Sequence, residues 1–105
     1  MNIAKLLQQP LIIYPFLLEQ YTTATALVMS QVIYWSNWSY KENPDAMYWF
    51  YKDMESWKAD TGLSEYQIRA ARTALKADGL LEEMLFGSPV KLHFRIGKQL
   101  RKDLK

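Results

Sequence analysis

Residues 53–96 read DMESWKADTGLSEYQIRAARTALKADGLLEEMLFGSPVKLHFRI. Local cues divide this stretch into a helix, a tight turn, a second helix and a two-stranded hairpin. Asp53 can cap the first helix, residues 53–60, because its carboxylate accepts from the orphan N–H groups of a first turn. Met54 and Trp57 follow at helical spacing and face inward. Gly62 supplies the left-handed conformation that ends a helix, and Leu63 is the apolar plug behind it. Ser64 caps the next helix, with Gln67 three residues on as a capping-box partner. Helix 65–77 has a narrow apolar face of Ile68, Ala71 and Leu75, with Ala74 beside them. Its other positions carry Tyr66, Gln67, Arg69, Arg72, Thr73 and Lys76, and Gly79 stops it. Residues 80–86 alternate as a strand, and Gly87-Ser88-Pro89 turns the chain. Residues 90–96 alternate again, with Val90, Leu92, Phe94 and Ile96 on one face and Lys91, His93 and Arg95 on the other.

Upstream, the β-prone run Met47-Tyr48-Trp49-Phe50-Tyr51 is expected to pair with strand 90–96 and complete a three-stranded antiparallel sheet. Before it, Asn43-Pro44-Asp45 has turn chemistry in a solvated loop. Thr22 or Thr23 caps a long helix over residues 24–40. Ala26, Leu27, Met29, Ser30, Ile33, Tyr34 and Trp38 form its stripe, widened by Val28, Val32 and Trp35. An apolar surface this broad requires burial on more than one side. Residues 1–22 form an N-terminal arm punctuated by Pro10 and Pro15. Ile12, Tyr14, Phe16 and Leu18 alternate as a short strand would, while residues 16–21 also suit a helical turn. The apolar run at 11–18 is broken by Pro15 and falls well short of the roughly 20 residues a membrane span needs. It lacks the cleavage pattern of a signal peptide, so neither a membrane association nor a leader is expected. Gly97 ends the last strand, and residues 98–105 form a short basic tail with room for one or two helical turns.

A chain of 105 residues, half of them apolar, makes one domain with a core of its own. Its net charge of +2 is unevenly divided. Residues 1–57 carry three basic and five acidic side chains, and residues 58–105 carry ten basic and six acidic ones. The excess of positive charge thus lies in the half with the second helix and the hairpin, as a nucleic-acid surface requires. Cysteine is absent and there is a single His. That excludes disulfides, thiolate catalysis and a zinc finger, and leaves no set of ligands for a transition metal. No phosphate-binding glycine loop or nucleophile–base arrangement is present. Glu82 and Glu83 are adjacent on a strand and point to opposite faces, so they cannot act as a catalytic dyad. No enzyme activity and no cofactor are expected.

The segment GLSEYQIRAARTALKADGLLE resembles the recognition-helix signature of winged-helix domains, in which a turn leucine and a serine precede a helix ending in Leu-x-x-x-Gly-Leu-Leu. More narrowly, ALVMSQVIYW, WFYKDMESWKADTGLS and the hairpin GSPVKLHFRI are similar to the winged-helix domains of phage and plasmid replication proteins. These include the N-terminal DNA-binding part of phage replisome organisers. The resemblance covers residues 23–96. It implies an α+β, mostly α fold: a winged helix-turn-helix with a small antiparallel three-stranded sheet, preceded by the arm and followed by the tail. It also implies double-stranded DNA as partner, a role in replication initiation or transcriptional control of a phage, prophage or plasmid, and the cytoplasm of a bacterial host.

Major-groove readers set long polar side chains of a helix against base edges. The expected base-reading residues are Tyr66, Gln67, Arg69, Arg72 and Thr73. Lys58, Ser64 and Lys76, with Lys91 and Arg95 of the wing, are expected at the DNA backbone. A homodimer through the arm and first long helix would double the phosphate contacts. Two rival readings remain. A winged helix can use the same surface or its aromatic first helix against a protein, as a replisome partner or an inhibitor of a host defence system. Alternatively, the aromatics between residues 35 and 57 could stack single-stranded bases. Against the latter, Trp35, Trp49 and Trp57 fall on expected inward faces, and Trp38 and Tyr40 at the helix end suit a subunit interface.

Overall fold

The computed structural model describes residues 13–103. Within the arm, Pro15 opens a helix, α1 (Pro15–Gln20). Proline suits this position because its missing N–H would have no helical partner there. Of the two readings left open for this segment, the helical turn is the one adopted, and it buries Leu17 in the core. Pro10 and the rest of the arm before Ile13 lie outside the described residues.

The long helix α2 (Thr23–Glu42) is capped by Thr22, whose hydroxyl accepts from the Thr25 N–H at 3.2 Å. Every residue from Thr25 to Ile33 is buried, so the helix is enclosed on several sides. Its far half differs from the expected stripe. Tyr34 and Trp38 are exposed, and Ser36 and Ser39 turn inward instead. The reason is close packing against backbone. The Ile96 N–H donates to Ser36 Oγ at 3.0 Å, and Ser39 Oγ donates to the Trp49 carbonyl at 2.6 Å. Small hydroxylated residues let α2 approach the sheet and satisfy these two backbone groups.

After a 3-10 turn at Pro44–Ala46, Met47 and Tyr48 take left-handed backbone conformations with φ of 55° and 72°. The chain therefore cannot extend through residues 47–51 as expected, and β1 is reduced to Phe50–Tyr51. α3 (Met54–Thr61) follows, capped by Asp53, whose carboxylate accepts from the Ser56 N–H at 2.7 Å. Gly62 (φ 72°) ends it. α4 (Glu65–Ala77) begins with a full capping box between Ser64 and Gln67, a feature contributing about 1 kcal/mol.

The hairpin comprises β2 (Leu81–Phe86) and β3 (Lys91–Ile96). Leu80 and Val90, assigned to strands from their alternation, lie just outside them. The sheet order is β1-β3-β2, antiparallel throughout, with the first strand paired to the last as expected. Residues 98–103 of the basic tail are helical. They form α5 (Lys98–Asp103), with Leu100 against the core and Arg101 donating to the Ile96 carbonyl at 2.8 Å.

The chain is thus an α+β, mostly helical domain with a small three-stranded antiparallel sheet. Its core lies between α2, α4 and the inner face of the sheet, where Trp57 meets the Phe94 ring edge-on at 5.4 Å beside Ile68, Leu75 and Ile96. Tyr21 ties the start of α2 to the end of α4 by donating to Asp78 at 2.5 Å. Burial, then this bond to a carboxylate, push the Tyr21 hydroxyl pKa up to about 12. Among the described residues, no helix is long and apolar enough to cross a membrane.

Candidate nucleic-acid interface

α4 buries Ile68, Ala71 and Leu75 and turns its opposite face to solvent. The amphipathic period of the sequence is therefore realised, with one helical side fixed in the core and the other free for a partner. On the free face Tyr66 is 81% exposed and the Arg69 side chain 62%. Thr73 is exposed beside them, and its hydroxyl donates to the Arg69 carbonyl at 3.0 Å. Arg69 pairs with Glu65 at 3.0 Å. A surface i,i+4 pair of this kind is worth only about 0.3–0.5 kcal/mol, so a ligand can displace it.

Two of the other expected base-reading residues are engaged by the fold. The Gln67 side chain accepts from the Ser64 N–H at 3.0 Å, closing the capping box. Reading a base with it would open the helix start. Arg72 is more firmly committed. It grips Glu83 of β2 with two hydrogen bonds, 2.7 and 3.0 Å long, and its guanidinium lies 5.4 Å from the centre of the Phe94 ring. Only 14% of its side chain is exposed. This corrects its reading as a free base-contacting side chain: Arg72 staples α4 to the hairpin. Lys76, half exposed, joins the same carboxylate at 3.0 Å. Burial opposes ionisation of Glu83, but the bonds from Arg72 and then Lys76 outweigh it and hold the carboxyl below its ordinary pKa.

The outer face of the hairpin shows a parallel correction. Arg95, expected at the DNA backbone, bonds to Glu82 at 2.9 Å and to the Met47 carbonyl at 3.2 Å, and lies over the Trp49 ring at 4.2 Å. Arg101 of α5 reaches the second oxygen of Glu82 at 2.9 Å. Burial is again outweighed, here by Arg101 and Arg95, and Glu82 sits below its ordinary pKa. Glu82 and Glu83 do point to opposite faces, and each collects two cations. Neither this pairing nor the Glu83 staple carries a sequence signal, because the partners lie 7 to 19 positions apart on different elements.

Lys91 remains open. It is exposed and has no carboxylate partner among the described residues; its ammonium lies 4.6 Å from the centre of the Tyr51 ring. Lys58 sits at the far edge, loosely paired with Glu55 at 3.7 Å. Ser64, expected at the backbone, is exposed at the start of α4.

Between α4 and β3 runs a groove of about 370 Å³ whose walls include Arg69, Arg72, Lys91 and Trp57. The Trp57 indole N–H is the buried side-chain polar atom that lacks a hydrogen-bond partner among the described residues. Lys52, unremarked in the sequence, is buried at the groove's edge and pairs with Asp60. The arrangement can offer long polar side chains along one helix face and single cations at either margin. Comparisons with protein-family models, with curated proteins and with solved structures each find no match for the chain.

Proposed function

We propose that this chain is a winged-helix protein that binds double-stranded DNA. α4 would enter the major groove, and the β2–β3 hairpin would lie along the backbone as the wing. The observation that carries this reading is the free face of α4. Tyr66, Arg69 and Thr73 stand exposed on it while the opposite face is locked in the core. Arg69 and Tyr66 are assigned to base edges, and Lys58, Lys76 and Lys91 to phosphates. Arg72 and Arg95 hold the interface in shape and are not assigned to DNA. The role resembles replication initiation or transcriptional control of a phage, prophage or plasmid, in the cytoplasm of a bacterial host. A homodimer through α2 would double the phosphate contacts.

A second reading, a winged helix docking on a protein, is favoured by one observation. Arg69, Arg72, Lys76 and Arg95 all have carboxylate partners, so few cations stand unneutralised. Selection from a random duplex library at two salt concentrations separates the two. DNA binding predicts an enriched motif that is lost in an Arg69→Ala variant. It also predicts a salt dependence that shallows by about one unit of slope in Lys91→Ala. No enrichment at either salt concentration refutes the DNA reading and leaves the protein partner.

A further inference from the structure

The outer face of the sheet is ordered in rows. Trp49 stands beside Arg95, and Tyr51 is in register with His93, which is in register with Met84; Lys91 is in register with Phe86. The rings touch across the strands. His93 stacks on Phe86 with centroids 3.7 Å apart, Tyr51 lies 5.9 Å from His93, and Trp49 meets Phe86 edge-on at 5.9 Å. Beyond β1 the aromatic surface continues onto α2, where Trp35 and Trp38 pack edge to face at 5.6 Å. Between the sheet and the helices lies a cleft of about 690 Å³ walled by Trp35, Trp38, Trp49, Tyr51 and His93. Its size is that of a small-ligand site.

Cations are interleaved with these rings. Lys52 lies 4.8 Å from the Trp35 ring centre, Lys91 4.6 Å from Tyr51 and Arg95 4.2 Å from Trp49. A cationic ligand is disfavoured, because Lys52 already occupies the space between the Trp35 and Trp57 rings. The acidic groups at the cleft are spoken for. Asp60 pairs with Lys52, and Asp53 caps α3. What remains is a set of flat apolar faces, two of them exposed (Trp38 48%, Tyr51 44%), with Lys91, itself outside the cleft lining, over the Tyr51 ring. Flat rings on an anionic chain complement that combination, since every base offers a π-face and every phosphate a charge.

We propose that this cleft binds unpaired bases of single-stranded DNA, with Trp38 and Tyr51 as the stacking platforms and Lys91 on the phosphate chain. No α4 side chain lines the cleft; the proposal shares Lys91 with the duplex reading and is separated from it by resting on Trp38 and Tyr51 rather than on Arg69.

The test is fluorescence anisotropy of the full chain with a labelled oligothymidylate of about 12 nucleotides. An abasic strand of the same length, carrying phosphates without bases, serves as the control probe. The expected result is binding of the thymidylate with far weaker binding of the abasic strand. Trp38→Ala and Tyr51→Ala should each weaken binding roughly 5- to 100-fold. Arg69→Ala should leave it unchanged while reducing duplex binding. Both platform residues are exposed, and circular dichroism checks that the variants fold. Equal affinity for abasic and thymidylate strands overturns the proposal on the parent protein alone. So does binding insensitive to both substitutions. Absence of single-strand binding, with a proline-rich peptide bound in a Trp38-dependent manner, overturns it in favour of a protein partner.

Discussion

Arg69 and Arg72 lie one turn apart on α4, yet truncating them should have opposite consequences. Arg72 makes two hydrogen bonds to Glu83, and the two side chains are only 14% and 9% exposed. Breaking a buried pair leaves one charge uncompensated at a cost of about 3–5 kcal/mol. Lys76 stays on Glu83 in an Arg72→Ala variant and leaves that charge partly compensated, which reduces the cost to about 2–3 kcal/mol. For a domain near 100 residues that corresponds to a fall in Tm of about 10–20 °C. Arg69 is mostly exposed and gives up a surface pair worth about 0.3–0.5 kcal/mol. Its removal should move Tm by no more than about 3 °C. On duplex DNA the order reverses, because the proposed bidentate base contact by Arg69 is worth about 1–3 kcal/mol, or roughly 5- to 160-fold in affinity. Thermal unfolding followed by circular dichroism and duplex binding by anisotropy, on both variants, test this. An Arg72→Ala protein as stable as the parent, or an Arg69→Ala protein with undiminished affinity for its selected duplex, refutes the assignment.

Three further outcomes follow from the same geometry. Glu82 and Glu83 are held below their ordinary carboxyl pKa, so their contribution is complete above the unfolded pKa of about 4.3 and is lost as pH falls through the folded value. Tm should be level from about pH 5.5 to 7.5 and drop below about pH 4, and Glu83→Gln should be less stable at neutral pH with a shallower acid decline. Ser64→Ala removes one arm of the capping box and should cost about 1 kcal/mol in urea unfolding. Gly97→Ala places a Cβ 1.8 Å from the Gly79 carbonyl oxygen, so a loss on the order of 3 kcal/mol is expected. A Gly97→Ala protein with the parent's urea midpoint would show that the two backbones are not in contact.

Local chemistry made the α3–turn–α4–hairpin order readable. The Asp53 and Ser64 caps, the Gly62 turn and the Ile68/Ala71/Leu75 face each depend on residues within a turn or two of one another. What escaped was set by partners distant in sequence. Nothing near Arg72 announces Glu83, and nothing near Ser36 announces the Ile96 N–H it receives. Lys52 carries no local signal, because its burial depends on Asp60 and on rings from two helices. Strand propensity over-extends residues 47–51 because it is blind to the left-handed pair at Met47 and Tyr48. The candidate interface was legible as a helix face but not as a set of free side chains. Charge counting cannot distinguish an arginine facing water from one already held by a carboxylate.

The Arg72–Glu83–Lys76 staple has a consequence for recognition kinetics. It joins α4 to the hairpin through two α4 cations on one β2 carboxylate. The separation between the helix and the hairpin is therefore fixed at folding, like the jaws of a locked calliper. A partner meets a gauge already set and loses no hinge entropy in closing it. Association should then resemble rigid-body docking, with free and bound backbones nearly superimposable. Discrimination would fall on the spacing of the partner's own groove and backbone, since it is the partner that must conform.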